Sequence, residues 1–386
     1  MIETRDESFP DIRDSMRRLC AGFPGAYWRK LDRERQYPTE FVQTLTREGF
    51  LSVLIPEAYG GAGLPLAAAA AILEEIHRSG CNAGAAHAQM YTMGTILRHG
   101  SDAQKQTYLP KIASGALRLQ AFGVTEPTSG TDTTRIATFA KHDGDRYIVS
   151  GQKLWISRAE HSDLLLLLAR TSPRDDARPT DGMSVLLVDL RDAVGKGLAV
   201  RPIRTMINHA TTELFFDGLA VPAENLIGEE GKGFRYILDG MNAERILIAA
   251  ECIGDGRFFI DRAAAYASER QVFGRPIGEN QGVQFPIARA HVQVSAAAEM
   301  VAKAAALFDS GKPCGTEANM AKMLASEASW FAADMCLQTH GGFGFAEEFD
   351  IERKFRETRL YQIAPISTNL ILSHVATHVL KLPKSF

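Results

Sequence analysis

One carboxylate in this 386-residue chain stands where general-base chemistry could be done. The run Gly240-Met241-Asn242-Ala243-Glu244-Arg245-Ile246 reads as helix, and steps of three and four put Met241, Leu247 and Ile248 on the face that carries Glu244. A carboxylate on an apolar face has its charged form disfavoured, which lifts its pKa towards what a base needs at neutral pH. The rival reading makes Glu244 an ordinary ion-paired residue with Arg245 as its partner, but adjacent helical residues point apart. Cys336 and His340 have the four-residue spacing for thiol–imidazole chemistry, although on a Met-rich helix that spacing reads first as core packing. Glu347 and Glu348, in the loop beyond, read as structural or solvent-facing.

Other chemistries are excluded by motif. No Walker A sequence, G-x-S-x-G elbow, H-E-x-x-H or C-x-x-C occurs, and no strict G-x-G-x-x-G follows a strand. No metal site is expected. A formal net charge of −3, from 43 basic and 46 acidic residues, gives no bulk attraction to nucleic acid or to an anionic membrane. Any anionic ligand must be held locally. Cys20, Cys81, Cys252, Cys314 and Cys336 are odd in number and widely scattered, which argues for a reducing compartment rather than a disulfide framework. The acidic start Met1-Ile2-Glu3-Thr4-Arg5-Asp6-Glu7 resembles neither a signal nor a transit peptide, and no apolar run approaches the roughly 18 residues that span a bilayer. The expectation is a soluble, cytoplasmic protein.

The elements that must position these residues change character twice. Residues 1–119 read as an all-α region, with a helix start at Pro38-Thr39-Glu40, a strong helix former at Ala67 to Arg78 and a turn at Tyr59 to Gly63. Residues 120–231 shift to period two, with a hairpin about Asp143-Gly144 and short strands at Leu164 to Leu168, Met183 to Asp189 and Thr212 to Phe216. They predict a small β domain, a barrel or sandwich, antiparallel where it can be read. Residues 232–386 turn helical again. Ile287, His291, Val294, Ala298, Val301, Ala305 and Phe308 form a bundle seam between Pro286 and Asp309. A second helix from Thr316 to Gly341-Gly342 has Met320, Met323, Leu324, Phe331 and Met335 inward. The fold class is α+β multidomain: helical, then β, then a four-helix bundle.

Five segments, in order, resemble the acyl-CoA dehydrogenase family. They are Ala121-Phe122-Gly123-Val124-Thr125-Glu126-Pro127-Thr128-Ser129-Gly130-Thr131-Asp132, then Gly151-Gln152-Lys153-Leu154-Trp155-Ile156-Ser157, then Arg270-Gln271-Val272-Phe273-Gly274 with Asn280-Gln281. Gln338-Thr339-His340-Gly341-Gly342-Phe343-Gly344 and Tyr361-Gln362-Ile363 complete the series. The resemblance implies FAD. It implies that Phe122, Val124 and Thr125 line one flavin edge, that Trp155 and Ile156 flank the ring, that Ser157 reaches N5, and that Gly130 and Thr131 hold the pyrophosphate. It also implies that Arg270, Phe273, Gln281, Gln338, Gly341 and Gly342 reach a neighbouring subunit's flavin in a homotetramer, a dimer of dimers, and that Ser367 and Asn369 touch the flavin.

The base is the departure. Many family members carry a Glu directly after the Tyr-Gln-Ile-x run, where this chain has Pro365, and proline cannot abstract a proton. The isovaleryl- and long-chain-type members place the base on an earlier helix, and that position matches Glu244, with Asn242, Arg245 and Thr131 near the thioester and its CoA. The activity implied is α,β-dehydrogenation of an acyl-CoA in fatty or branched-chain acyl metabolism. The α-proton goes to Glu244, the β-hydride to flavin N5 and the electrons to an electron-transfer flavoprotein. An acyl-CoA oxidase, a thioester desulfinase, a carrier-protein dehydrogenase or a non-catalytic flavin-binding homologue are the alternatives.

Overall fold

The computed structural model describes residues 8–384, so the acidic start at 1–7 lies outside the described residues. In chain order the helices are α1 (Pro10–Ala21), α2 (Gly25–Glu34), α3 (Thr39–Arg47), α4 (Leu66–Arg78), α5 (Gly84–His99), α6 (Asp102–Ser114), α7 (Leu190–Ala193), α8 (Gly233–Glu269), α9 (Gln281–Asp309), α10 (Gly315–His340), α11 (Ile351–Leu360) and α12 (Thr368–His374). The strands are β1 (Leu119–Gly123), β2 (Phe139–Asp143), β3 (Arg146–Ser157), β4 (Leu164–Arg170), β5 (Met183–Asp189), β6 (Leu198–Pro202), β7 (Thr211–Pro222), β8 (Leu226–Ile227), β9 (Gln271–Val272) and β10 (Arg275–Pro276). Contacts gather these elements into two units. Among the described residues, a helical unit joins those up to Glu34 with Pro65–Ala83 and those from Asn242 onward; a sheet unit holds Arg35–Leu64 and Gly84–Met241. The architecture expected from the sequence, helices, then a β sheet, then a helical bundle, is the one observed.

In the sheet unit, β6-β7-β3-β2-β4-β5-β8 lie in that order with β1 beside β4. The sheet is mixed, which the period-two runs did not reveal: β1 and β2 both pair β4 in parallel, while β2–β3, β3–β7 and β4–β5 are antiparallel. Strands β4 and β5 are buried on both faces, which is why their sequence is continuously apolar rather than alternating. Alternate residues serve two cores. Leu164, Leu166 and Leu168 pack with Met93, Ile96, Leu109 and Ile112 of α5 and α6, and Leu165, Leu167 and Ala169 pack with Val149, Leu214 and Phe216 of the sheet itself. Strand β3 runs through two expected segments without a break, because Gly151 at φ +145° accepts a conformation and a closeness that a side chain cannot. A Cβ there would lie 2.6 Å from the Thr138 Cα.

In the helical unit, α8 is buried all round from Ile246 to Ile253, as expected of a helix at the centre of a bundle. Helix α10 corrects the expectation for its inward face. Ala318, Ala321, Ala325, Ala332, Ala333 and Cys336 are buried, while Met320, Met323 and Phe331 are half-exposed and Leu324 is exposed; only Met335 of the expected set is inside. Small residues let α10 lie close along α9, and the large apolar ones are left on the outer side. The seam of α9 holds at Val294, Val301 and Ala305, and the helix begins at Gln281, ahead of Pro286.

Charge is buried at the heart of this unit. Gly254 lets α8 approach α4, since a Cβ there would lie 2.2 Å from the Glu74 carbonyl oxygen. The approach brings His77 of α4 to Asp255 of α8, Nδ1 to Oδ1 at 2.8 Å; Nε2 accepts the Ala83 amide at 3.2 Å, so Nδ1 is the donor. Lys354 of α11, with no exposed surface, donates to Asp255 at 2.6 Å and Glu357 at 2.8 Å. Arg353 donates to Glu357 at 2.7 Å and to the Gly80 carbonyl at 2.8 Å. Burial works to strip Lys354 of its proton, but Asp255 and Glu357 outweigh it and hold the ammonium above its ordinary range. Replacing Lys354 by Met leaves two carboxylates buried without their shared cation, and we expect a loss of about 3–5 kcal/mol. The urea midpoint of Lys354→Met against wild type measures it; an unchanged midpoint refutes it.

Candidate functional site

The sheet unit builds one part of the candidate site around β3. Trp155 sits inside the register shift between Lys153 and Ile156, at φ +62°, and is 56% exposed. A non-glycine residue held in this region carries strain of about 1–3 kcal/mol, and such strain concentrates at functional sites. The peptide is fixed around it: the Leu154 amide donates to the Thr125 carbonyl at 2.8 Å, and the Thr212 hydroxyl donates to the Ile156 carbonyl at 2.8 Å. Ile156 points into the sheet core, leaving its main chain alone to face the site. Ser157 is half-buried and its Oγ accepts from Asn208 Nδ2 at 2.8 Å. Its own hydrogen has no acceptor among the described residues.

Lys153 anchors the start of the loop that follows β1. Fully buried, it donates to the Val124 carbonyl at 2.9 Å and to Glu126 Oε1 at 2.8 Å. Burial pushes Lys153 down to about 8, against the pull of Glu126. Burial pushes Glu126 up, but the Lys153 ammonium and the Ala137 amide outweigh it, so the carboxyl is held below its ordinary range. Glu126 thereby ties both ends of the 126–138 excursion, accepting the Ala137 amide at 2.6 Å and the Thr138 amide at 3.0 Å. Arg170 closes the far side, donating to the carbonyls of Thr134 at 2.6 Å and Ile136 at 3.1 Å. Gly130 and Thr131 are exposed at the crest, and a Cβ on Gly130 would meet nothing within 4 Å. Val124 is buried, Thr125 half-buried, and the Phe122 ring meets Tyr91 at 6.0 Å, with Phe122 packed on the α5–α6 core. A flat aromatic face beside an oriented hydroxyl donor and an open polar crest suits an isoalloxazine ring and a pyrophosphate. The residues present therefore fit a flavin.

The helical unit assembles a second group. A cavity of about 640 Å³ is lined by Tyr266, Arg270, Gln338, His340, Gly341 and Gly342 among others, bringing together four residues expected to hold a flavin's far end. Phe273, at the tip of the β9–β10 hairpin with φ +55°, is wholly exposed, and Gln281 is exposed at the start of α9. Ser367 accepts from the Leu370 amide at 3.4 Å as the cap of α12, and Asn369 is exposed two residues on. His340 stacks on Tyr266 at 4.2 Å and bonds the Cys336 carbonyl at 2.8 Å. Burial pushes the Cys336 thiol up to about 12, the reverse of an activated nucleophile, so this pair is core. All five cysteines are buried, and none is in a disulfide among the described residues.

Glu244 is half-buried on α8, with Leu247 and Ile248 buried beside it, and Met241 packs in the core of the sheet unit. Arg245, 9% exposed, donates to Asn242 Oδ1 at 3.0 Å. Burial pushes Arg245 down, with Glu244 opposing. Segment 361–367 is tied to the bundle: Tyr361 donates to Glu251 at 2.6 Å, and the buried Lys322 donates to the Ile366 carbonyl at 2.8 Å. No local pattern pointed to Asn208, Arg170 or Lys322. Lys153 and Glu126 lay inside quoted segments, but their pairing could not be seen from spacing. Among the described residues no cluster could hold a metal, and no helix is long and apolar enough to cross a membrane.

Comparisons with known proteins identify the family. Family models match as acyl-CoA dehydrogenase N-terminal domain over 6–116, middle domain over 121–219 and C-terminal domain over 231–380. The chain belongs to the acyl-CoA dehydrogenase family, an oxidoreductase family whose members are flavoproteins. It is similar to acyl-CoA dehydrogenase FadE12 of Mycobacterium tuberculosis (strain ATCC 25618 / H37Rv), 34% identical over 378 residues, 97% of this chain and 96% of the relative. A solved glutaryl-coenzyme A dehydrogenase in complex with glutaryl-CoA is 31% identical, with a TM-score of 0.90 over 100% of this chain and 98% of that one. A chain solved in work on the electron transferring flavoprotein of Acidaminococcus fermentans is 29% identical, with a TM-score of 0.91 over 99% and 100%.

The anchor under the crest makes a pH prediction. Glu126 has a depressed folded-state pKa, so its stabilisation is full above the ordinary carboxylate value of 4.5 and is lost as pH falls through the lower folded value. Acid unfolding followed by tryptophan fluorescence should show a step in that window that Glu126→Gln lacks. An identical acid limb in the two proteins rules the anchor out.

Proposed function

We propose that this chain is an FAD-dependent dehydrogenase that removes the α- and β-hydrogens of an acyl-CoA thioester, with Glu244 as the base. The single observation behind the reading is the carboxylate of Glu244 on a helix whose neighbouring turns are buried, in a chain with proline at 365. A thioester acidifies its α-carbon, and a carboxylate sheltered from water at that carbon is the group the proton transfer needs. The chemistry that FAD supplies when bound is acceptance of the β-hydride at N5. Trp155 offers the ring a flat apolar wall, Ser157 donates a hydrogen bond at its edge, and the 126–138 loop presents Gly130 and Thr131 to the pyrophosphate.

Asn242 and Thr131 are assigned to the thioester and its CoA, and Arg245 to holding Asn242. Arg270, Phe273, Gln281, Gln338, Gly341 and Gly342 are assigned to a neighbouring copy's flavin, and Ser367 and Asn369 to the flavin as well. The exposed Phe273, Phe285, Val292 and Leu324 support a homotetramer, since apolar groups of this size call for cover. Residues 1–119, 120–231 and 232–386 are the domains of this reading, a cytoplasmic location accompanies it, and an electron-transfer flavoprotein is the proposed acceptor. The similarity to a chain solved with such a flavoprotein in view supports the last.

Anaerobic bleaching of the purified yellow protein by a panel of acyl-CoAs tests the reaction. Glu244→Gln should keep its flavin absorbance and lose the rate of bleaching by about 10²–10⁴-fold, the share a general base contributes. Undiminished bleaching in that variant would remove Glu244 from the role, and rapid oxygen consumption by wild type would make the enzyme an oxidase.

A further inference from the structure

Ser157 does not hold its own orientation. Its Oγ lies 2.8 Å from Asn208 Nδ2, and the amide is the donor, because Asn208 Oδ1 faces the Arg158 guanidinium at 3.4 Å. Asn208 is itself fixed. Its φ of +57° is one that Asn and Gly tolerate best, and its carbonyl accepts the Thr211 hydroxyl at 2.6 Å and the Thr205 hydroxyl at 3.4 Å. The main chain locks the same corner, since the Arg158 amide donates to the Ala210 carbonyl at 2.6 Å and Ser157 pairs Thr211 across β3–β7. An asparagine on the loop entering β7 is thus aimed at one hydroxyl at the end of β3.

A serine hydroxyl has one hydrogen and two lone pairs. The Asn208 amide takes a lone pair, which removes rotational freedom and leaves the hydrogen to be donated elsewhere. Accepting a hydrogen bond also polarises the hydroxyl and strengthens the bond it donates. Among the described residues that hydrogen has no acceptor, and two residues away stands the exposed, strained Trp155. We infer that Asn208 is a positioning residue that holds Ser157 as a hydrogen-bond donor to the isoalloxazine edge, and so sets how readily the bound flavin takes electrons. This rests on the flavin reading of the site and not on the identity of the thioester.

Three variants separate the role from scaffolding. Asn208→Gly keeps the φ and deletes the amide. Asn208→Asp keeps the shape but offers an acceptor in place of the donor, turning the Ser157 hydrogen inward. Ser157→Ala removes the donor itself. The primary readout is the flavin midpoint potential by dye-coupled photoreduction of the FAD-loaded proteins, together with the visible absorption maxima. Neither needs a substrate, so failure of the acyl-CoA proposal would show separately, as wild-type protein that holds FAD but is bleached by no acyl-CoA. The potential should fall in all three, with Asn208→Asp at least as low as Ser157→Ala. Where a substrate is found, its reduction rate should drop about tenfold in Asn208→Gly, and the Ser157→Ala/Asn208→Gly double variant should be no slower than Ser157→Ala alone. Unchanged potentials in Asn208→Gly and Asn208→Asp, additive losses in the double variant, or wild-type protein that binds no FAD would each overturn the assignment.

Discussion

An ammonium with no path to water governs the helical unit. Lys354 can stay charged only while Asp255 and Glu357 remain within 2.8 Å of it, and those carboxylates come from α8 and α11. The ion group therefore fixes the rotation of α8 about its axis, with His77 of α4 completing the ring around Asp255. Glu251, one turn before Asp255, is taken by the Tyr361 hydroxyl at 2.6 Å. Glu244 lies two turns before Glu251 on the same helix. Its heading follows from contacts 11 residues away at Asp255, because a helix that cannot turn at one end cannot turn at the other.

The sheet unit uses the same device with a different balance. Lys153 faces one carboxylate, Glu126, and a carbonyl, where Lys354 faces two carboxylates and a histidine. The difference shows in the directions: burial wins at Lys153, pushing it down to about 8, and loses at Lys354, which stays above its ordinary range. Buried ion pairs are weak sources of stability but demanding ones of geometry. At Lys153 the demand falls on Val124, on Glu126 and through it on Ala137 and Thr138, so the polar crest about Gly130 is spanned by groups that cannot drift apart.

How much of this could be read from the sequence varied with the range of the interaction. The α10 stop at Gly341-Gly342, the turn at Tyr59 to Gly63 and the strand Met183–Asp189 follow from local rules and stand where they were expected. The inward face of α10 did not, because apolar size was read as burial while close helix contact selected alanine, serine and cysteine instead. The parallel pairing of β1 with β4 has no local signature either, since over 40 residues separate Leu119 from Leu164. For the candidate site, the segments about Gly130, Trp155 and Gly341 stood out as segments. Asn208 and Arg170 did not, because each acts on the site from a separate stretch of chain, and nothing in an isolated Asn or Arg says which hydroxyl or carbonyl it will meet.

The proline at 365 becomes intelligible in this frame. Segment 361–367 is held by the Tyr361 hydroxyl on Glu251, by the Lys322 ammonium on the Ile366 carbonyl at 2.8 Å and by Ser367 capping α12. None of these anchors uses the side chain at 365. Lys322, pushed down to about 8 by burial, spends its hydrogen bond on a main-chain oxygen that any residue supplies. A carboxylate at 365 would be carried by irregular chain between such anchors, whereas Glu244 rides a helix whose register is fixed by buried charge. On the proposal that Glu244 is the base, the segment keeps only the work of shaping a wall, and Ala364, Pro365 and Ile366 suit an apolar one.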